Sequence, residues 1–137
     1  MKTYKFKLVP KTGAIVVKAY VNGYKLNLLL DTGATNTVID YNILLMSDIN
    51  FKLVETKEQL MFETASGVIN ADWVNVDSFI SLGIHKIDFN FATYDFLLEG
   101  IIPEYDGILG LDFFQNNKIC IDFIKIRNNH FLKYEPN

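Results

Sequence analysis

Short runs of β-branched and aromatic residues, separated by turn-forming residues, dominate the first 30 positions of the chain. The pattern predicts strands over residues 4–9, 14–21 and 24–30. Asn22-Gly23 separates the second strand from the third, and this pair tolerates the positive φ angles of a type I′ turn. We therefore expect an antiparallel hairpin that runs directly into Asp31-Thr32-Gly33.

The middle of the chain predicts a short helix and then a second hairpin. Asp40 can cap a helix over residues 40–47, which contain enough aliphatic side chains for one buried face. Farther on, residues 59–64 and 68–76 predict two strands joined by the small residues Ala65-Ser66-Gly67. The tip of this hairpin is expected to be exposed and mobile.

The pattern in the last third of the chain also predicts mainly strands. Ile87, Phe89 and Phe91 alternate with polar residues, which is typical of a half-buried strand. Asp106-Gly107 predicts a turn that leads into Ile108-Leu109-Gly110. A short helix over 111–116 and closing strands over 118–123 and 130–134 complete the pattern. The prediction is an all-β protein with one or two short helices.

Composition and charge narrow the class of protein. The 137 residues are close to the size of one domain, so we predict a single domain over residues 1–137. The net charge is −3 and the basic residues are scattered, which argues against a nucleic-acid partner. No apolar run is long enough for a signal peptide or a membrane span, so we expect no membrane partner and a cytoplasmic location. The single cysteine, Cys120, is interpreted as a small core residue.

The chemically informative segment is centred on Asp31, which follows three consecutive leucines. A carboxylate at the end of such a strand is expected to be poorly solvated, with a raised pKa or a dense set of hydrogen bonds. Gly33 allows another backbone or a ligand to come close, and the Thr32 hydroxyl can hydrogen-bond across a turn.

This segment resembles the active-site motif of retropepsin-like aspartic peptidases, in which aliphatic residues precede Asp31-Thr32-Gly33-Ala34 and the small polar residue Thr35 follows. Ile108-Leu109-Gly110 resembles the second motif of that family, which supports the active-site loop. The resemblance implies a closed acid-protease barrel that acts as a two-fold homodimer. Because the chain carries a single Asp-Thr-Gly, each subunit would contribute one catalytic aspartate, Asp31.

The resemblance also implies a reaction and a substrate. Asp31 and its symmetry mate would share one proton, activate a water molecule and hydrolyse a peptide bond without a cofactor. Thr32, Gly33, Ala34 and Thr35 would form the active-site loop, and Ala65-Ser66-Gly67 would be the tip of a flap that closes over a peptide or protein substrate.

Several alternatives stay open at this point. Asp31 could be an ordinary turn residue, and Asp106 could be mistaken for a second catalytic aspartate, although Asp106-Gly107 has the character of a turn. The domain could be a dimeric binding or assembly module with weak or absent proteolysis, or an unrelated small β barrel that binds a ligand. His85 and His130 lack the neighbours of a zinc site, so no metal is predicted.

Overall fold

The computed structural model describes residues 2–8, 13–55, 58–64, 67–101, 104–115, 121–126 and 129–134. Its helical elements are one short α-helix, α1 (Tyr41–Met46), and a 3₁₀ turn at Leu111–Phe114. The strands are β1 (Lys2–Leu8), β2 (Ile15–Val21), β3 (Tyr24–Leu30), β4 (Val38–Asp40), β5 (Lys52–Leu53), β6 (Leu60–Thr64), β7 (Gly67–Ser81), β8 (Ile84–Tyr94), β9 (Gly107–Leu109), β10 (Ile121–Ile126) and β11 (Asn129–Tyr134).

Six of these strands pair in a closed ring. The order is β2-β3-β9-β4-β8-β7, and pairing of β7 back onto β2, with Ala19 opposite Ser81, closes the barrel. Closure matters because a ring of strands leaves no unpaired edge within itself. The remaining strands extend this barrel: β1, β11 and β10 continue from β2, while β5 and β6 pair with β7.

The hairpin predicted at the start of the chain and the short helix predicted after it are confirmed. Asn22 and Gly23 have φ angles of 47° and 82°, as a type I′ turn requires. Asp40 caps α1, and its carboxylate accepts a hydrogen bond from the Asn42 backbone N–H at 3.1 Å.

Two predicted elements differ from the structure in length or type. β7 runs from Gly67 to Ser81, well past the predicted end at residue 76, because it pairs with β6 over its first part and with β8 over its second. The helix predicted over 111–116 is only a 3₁₀ turn, and Gln115 ends it with an extended ψ of 143°.

The core fills the barrel with aromatic and aliphatic side chains. Phe79, Phe91 and Phe113 are fully buried, and the ring centroid of Phe79 lies 5.9 Å from that of Phe91 and 5.4 Å from that of Phe113. Burial of each such side chain contributes about 1.5–3 kcal/mol. Leu30 and Leu109 belong to the same core, so the ends of β3 and β9 are rigidly anchored where the Asp31 loop begins.

The two helical elements in the described ranges are short. Neither is long and apolar enough to cross a lipid bilayer.

Candidate active site

Two neighbouring strands position Asp31 at the end of the barrel. β3 runs parallel to β9, with Leu30 opposite Leu109, and β9 pairs on its other side with β4. The Asp31 backbone N–H extends the first pairing by donating to the Leu109 carbonyl at 3.1 Å. The chain therefore leaves the core immediately before the carboxylate, and Asp31 is half-buried whereas Leu30 is buried.

The loop that follows holds one oxygen of the Asp31 carboxylate. The Gly33 N–H donates to Asp31 Oδ1 at 3.0 Å, and the Ala34 N–H donates to the Asp31 carbonyl at 3.1 Å. A Cβ atom on Gly33 would lie 3.2 Å from Asp31 Oδ1, so glycine permits this close contact. Among the described residues, Asp31 Oδ2 has no hydrogen-bond partner.

The segment after β9 supports the loop from the other side. The Leu111 N–H donates to the Ala34 carbonyl at 2.8 Å, and the Asp112 N–H donates to the Thr35 carbonyl at 3.1 Å. Gly110 is packed against the loop so closely that a Cβ atom there would lie 2.6 Å from the Asn36 carbonyl carbon and oxygen. The structure thus brings Ile108, Leu109 and Gly110 directly behind the loop that carries Asp31.

A contact between the buried Thr37 and the half-buried Asp112, which sequence reasoning missed, ties the two segments together. The hydroxyl of Thr37, which is fully buried, donates to Asp112 Oδ1 at 2.7 Å and accepts from the Gly110 N–H at 3.1 Å. The Thr37 backbone N–H also donates to both Asp112 carboxylate oxygens, at 2.9 and 3.0 Å. The sequence does show that Thr37 is a polar residue directly before the apolar strand β4, a position that favours a structural role. Nothing in the sequence pattern indicated its partner 75 positions away.

Asp106 is occupied by structural hydrogen bonds. Its Oδ2 accepts from the Asn27 N–H at 2.8 Å, and its backbone N–H donates to the Asn27 carbonyl at 2.7 Å. Its own carbonyl accepts from the Asp40 N–H at 3.0 Å. This geometry fits the interpretation of Asp106 as a turn residue.

A cleft of about 390 Å³ opens beside the Asp31 loop. Its floor is formed by the loop and the strands next to it, and its roof by β6. The lining residues are Ala34, Thr35, Asn36, Val38, Leu60, Met61, Phe62, Glu63, Tyr94 and Ile108. The lining is mainly apolar, and Glu63 is its one charged member among the described residues.

The roof belongs to the hairpin predicted as a flap. β6 and β7 pair in antiparallel register up to Thr64 opposite Gly67. Ala65 and Ser66 lie outside the described residues, while Gly67 begins β7 with a φ of 126°. The register leaves a two-residue connection at the position predicted for the tip.

Tyr94 adds a neutral polar group to the cleft. Burial raises the pKa of Tyr94 above its ordinary value, and the negative charge of Glu99 adds to the effect. The phenol therefore stays protonated at neutral and acidic pH, and it can donate or accept a hydrogen bond there.

The structure also locates the other residues considered in the sequence. The His85 ring nitrogen Nε2 lies 2.8 Å from the Ser78 hydroxyl. His130 is part of β11, and Cys120 lies outside the described residues. Within the ranges that the structure describes, no cluster of three or more potential metal ligands occurs. The Thr32 side chain is exposed and makes no hydrogen bond to another described residue.

Comparison with protein families identifies the chain. A family model for aspartyl proteases matches residues 17–113, a span that includes the Asp31 loop, β6, β7 and β9. The chain belongs to the aspartyl protease family. A search of curated proteins found no match.

Solved structures of aspartyl proteases share the fold. A retropepsin-like aspartic protease from Rickettsia conorii aligns with a TM-score of 0.62 at 15% identity, covering 96% of this chain and 89% of that one. The EIAV protease, solved with the inhibitor HBY-793, aligns with a TM-score of 0.57 at 20% identity, covering 80% of this chain and 93% of the viral one. The fold of this family member is thus retropepsin-like.

Proposed function

We propose that this chain is an aspartic endopeptidase in which Asp31 and Asp31 of a second copy form the catalytic dyad of a homodimer. Membership of the aspartyl protease family supports peptide-bond hydrolysis as the reaction class. The observation that carries the proposal is the state of Asp31: one carboxylate oxygen is held by Gly33, and the other has no partner among the described residues beside the cleft.

The need for a second copy follows from the chemistry and the sequence. Activation of water by paired carboxyl groups requires two of them side by side, and the chain contains a single Asp-Thr-Gly. A two-fold axis beside the loop would place the two Asp31 side chains together. The exposed Thr32 hydroxyl would then be able to hydrogen-bond to the loop of the other copy.

In this mechanism the two Asp31 carboxyl groups share one proton, because two negative charges at such a short distance are unfavourable. The ionised carboxylate removes a proton from the water held between them. The water then attacks the peptide carbonyl, while the protonated carboxyl donates a hydrogen bond to the carbonyl oxygen. The carboxyl group that took the proton from water passes it to the peptide nitrogen, the C–N bond of the tetrahedral intermediate breaks, and the amine and the carboxylic acid leave. The Gly33 N–H keeps each carboxylate in position, and no covalent intermediate forms.

The cleft would hold the substrate as an extended peptide. The edge of β6 offers backbone groups to which a peptide strand can hydrogen-bond. Val38, Phe62 and Ile108 provide apolar contacts for its side chains.

The flap tip at residues 65–67 and a cytoplasmic location both remain predictions from the sequence.

Cleavage of a mixed peptide library between pH 4 and 7, read by mass spectrometry, tests the proposal. The wild-type protein is expected to cleave, and Asp31→Asn, which has the same shape but no acidic group, is not. Pepstatin, which mimics the tetrahedral intermediate, should raise the thermal stability of the wild type only. Identical behaviour of both proteins would instead support a dimeric binding or assembly module.

A further inference from the structure

Glu63 is the one charged residue that lines the cleft in the described part of the chain. It lies on β6, opposite Val68 of β7 and one pair before the last pair of the hairpin. Its side chain is exposed and has no hydrogen-bond or ion-pair partner among the described residues. No described residue therefore neutralises this carboxylate.

The alternation of side chains along β6 separates Glu63 from the apolar residues of the strand. Leu60 and Phe62 pack against the small core cluster around Phe96. Met61 and Glu63 lie on the other face of the strand, where both are exposed and the Met61 side chain is 69% accessible. The strand thus has one apolar face and one face that carries a single negative charge.

A peptide that pairs with the free edge of β6 would alternate in the same way. In directly opposed positions of neighbouring strands the Cβ atoms lie about 4.5–5.5 Å apart, and opposite charges there stabilise the pair. A lysine or arginine of the peptide opposite Glu63 would meet its carboxylate. The peptide residues before and after it would point to the face of β6 that carries Phe62. The segment that fits is a basic residue with an apolar residue on each side.

A second part of the cleft, at Tyr94, also lies in a negative potential. Burial is the largest cause of the raised pKa of Tyr94, and the negative charges of Glu99 and Asp40 are the next causes. No lysine or arginine is among the described residues that line the cleft. Charges of one sign along a cleft raise the local concentration of ligands of the opposite sign.

We infer that Glu63 selects peptide substrates that place a lysine or arginine, with apolar neighbours, beside β6. The inference rests on the proposed function, because it assigns a substrate class to the same cleft. Glu63 would bind the substrate and would take no part in the proton transfers at Asp31.

The peptide bonds cleaved in the mixed library give the first test. When the cleaved sequences are aligned on the cut bond, wild type should favour lysine and arginine at one position, with apolar residues next to it. Peptides with lysine, glutamine or glutamate at that position are then compared by kcat/KM at low salt. Wild type should prefer lysine over glutamine by about threefold to fivefold, the range of an exposed ion pair, and glutamate should be the poorest.

Substitutions at Glu63 separate its charge from the rest of the cleft. Glu63→Gln keeps the shape of the side chain and should remove most of the preference for lysine, while Glu63→Lys should reverse it in favour of glutamate. Salt at about 0.5 M should weaken the wild-type preference, because it screens exposed charges. Glu58→Gln, the same charge change just before β6 but outside the cleft lining, is the matched control and should behave like wild type.

A wild type without a preference for basic residues, or a preference that Glu63→Gln leaves intact, would overturn the inference. If such an enzyme still cleaves in an Asp31-dependent manner, the proposed function stands.

Binding decides the inference if the wild type cleaves nothing. Labelled peptides whose central lysine or glutamine has a valine on each side are titrated against the wild type and Glu63→Gln, and fluorescence anisotropy gives Kd. Tighter binding of the lysine peptide that depends on Glu63 would support this assignment of the cleft while the proposed function fails. Without cleavage and without that difference in Kd, both would be wrong.

Discussion

Asp31 follows the end of β3 and Asp106 precedes the start of β9, and the two aspartates make different hydrogen bonds. Each lies at an end of one of two neighbouring parallel strands and close to a glycine. The carboxylate of Asp106 accepts from Asn27, and its backbone groups bind Asn27 and Asp40. Asp31 has one carboxylate oxygen bound by its own loop and the other without a partner among the described residues. On the proposed function, the aspartate that takes part in catalysis is the one whose carboxylate the fold leaves partly without hydrogen bonds, and the aspartate with structural hydrogen bonds is the turn residue.

Removal of the negative charge at each aspartate should separate the two roles most strongly. Asp31→Asn is expected to lower kcat/KM by about a thousandfold or more, because the dyad loses a group that takes part in proton transfer. Asp106→Asn keeps an oxygen that can accept from the Asn27 N–H, so activity should stay within a few-fold of the wild type. A comparable loss of activity in both variants, with intact folding by circular dichroism, would remove the distinction.

The glycines next to the two aspartates should respond differently to a single methyl group. At Gly107 a Cβ atom would lie 2.8 Å from the Ile39 Cα and closer still to the Val38 carbonyl oxygen. We expect Gly107→Ala to lower the free energy of unfolding by about 3 kcal/mol. At Gly33 the new methyl would contact only the Asp31 carboxylate, at 3.2 Å. Gly33→Ala should therefore keep stability and lower activity by about tenfold or more.

Urea unfolding and peptide cleavage, measured on both glycine variants, check this contrast. A stable Gly107→Ala protein would show that β4 can move away from β9. Full activity in Gly33→Ala would show that the position of the Asp31 carboxylate does not depend on the contact with residue 33.

The Thr37 hydroxyl should stabilise the fold, because it links the end of the Asp31 loop to Gly110 and Asp112. Thr37→Val removes the acceptor of the buried Gly110 N–H and the donor to Asp112, and should cost about 1–3 kcal/mol in the free energy of unfolding. Thr37→Ser keeps the hydroxyl and loses one methyl group, which costs about 0.8 kcal/mol. Denaturant unfolding of both variants measures the difference, and equal losses would argue against the hydrogen bonds.

Asp95 is another aspartate whose carboxylate accepts hydrogen bonds, and its effect should be the smallest. The Asn42 side-chain amide, and next the Leu98 N–H, hold the pKa of Asp95 below its ordinary value. The resulting stabilisation is present above the unfolded-state pKa and is lost as the pH falls through the folded-state pKa. Asn42→Ala should raise the pKa of Asp95, as followed by NMR titration of its carboxyl carbon. An unchanged pKa would show that Asn42 is not the cause.

The sequence predicted the local parts of the fold well and the distant parts poorly. The type I′ turn at Asn22-Gly23 and the cap at Asp40 depend on neighbouring residues, and the structure confirms both. The end of β7 was missed because the turn at Leu82-Gly83 uses a buried leucine at a φ of 52°, which is not a usual turn residue. The alternation of polar and apolar residues predicted that Ile87 lies on the buried face of its strand, but its side chain is 76% exposed.

The same division holds for the site. Asp31 and Gly33 were singled out from a local pattern, an acidic residue and a glycine after three leucines, and their catalytic role stays a prediction. The contact of Thr37 with Asp112 depends on how β9 inserts between β3 and β4, and this pairing of distant segments leaves no local pattern.

The central claim is that two chains share one active site, and mixing wild type with excess Asp31→Asn tests it most directly. Both proteins are mixed at a fixed total concentration and allowed to exchange subunits, and the initial rate of peptide cleavage is measured as the proportion varies. If each working site needs Asp31 from both copies, activity falls with the square of the wild-type fraction. A decrease in simple proportion to the wild-type fraction would mean that one chain carries a complete site, and would contradict the account.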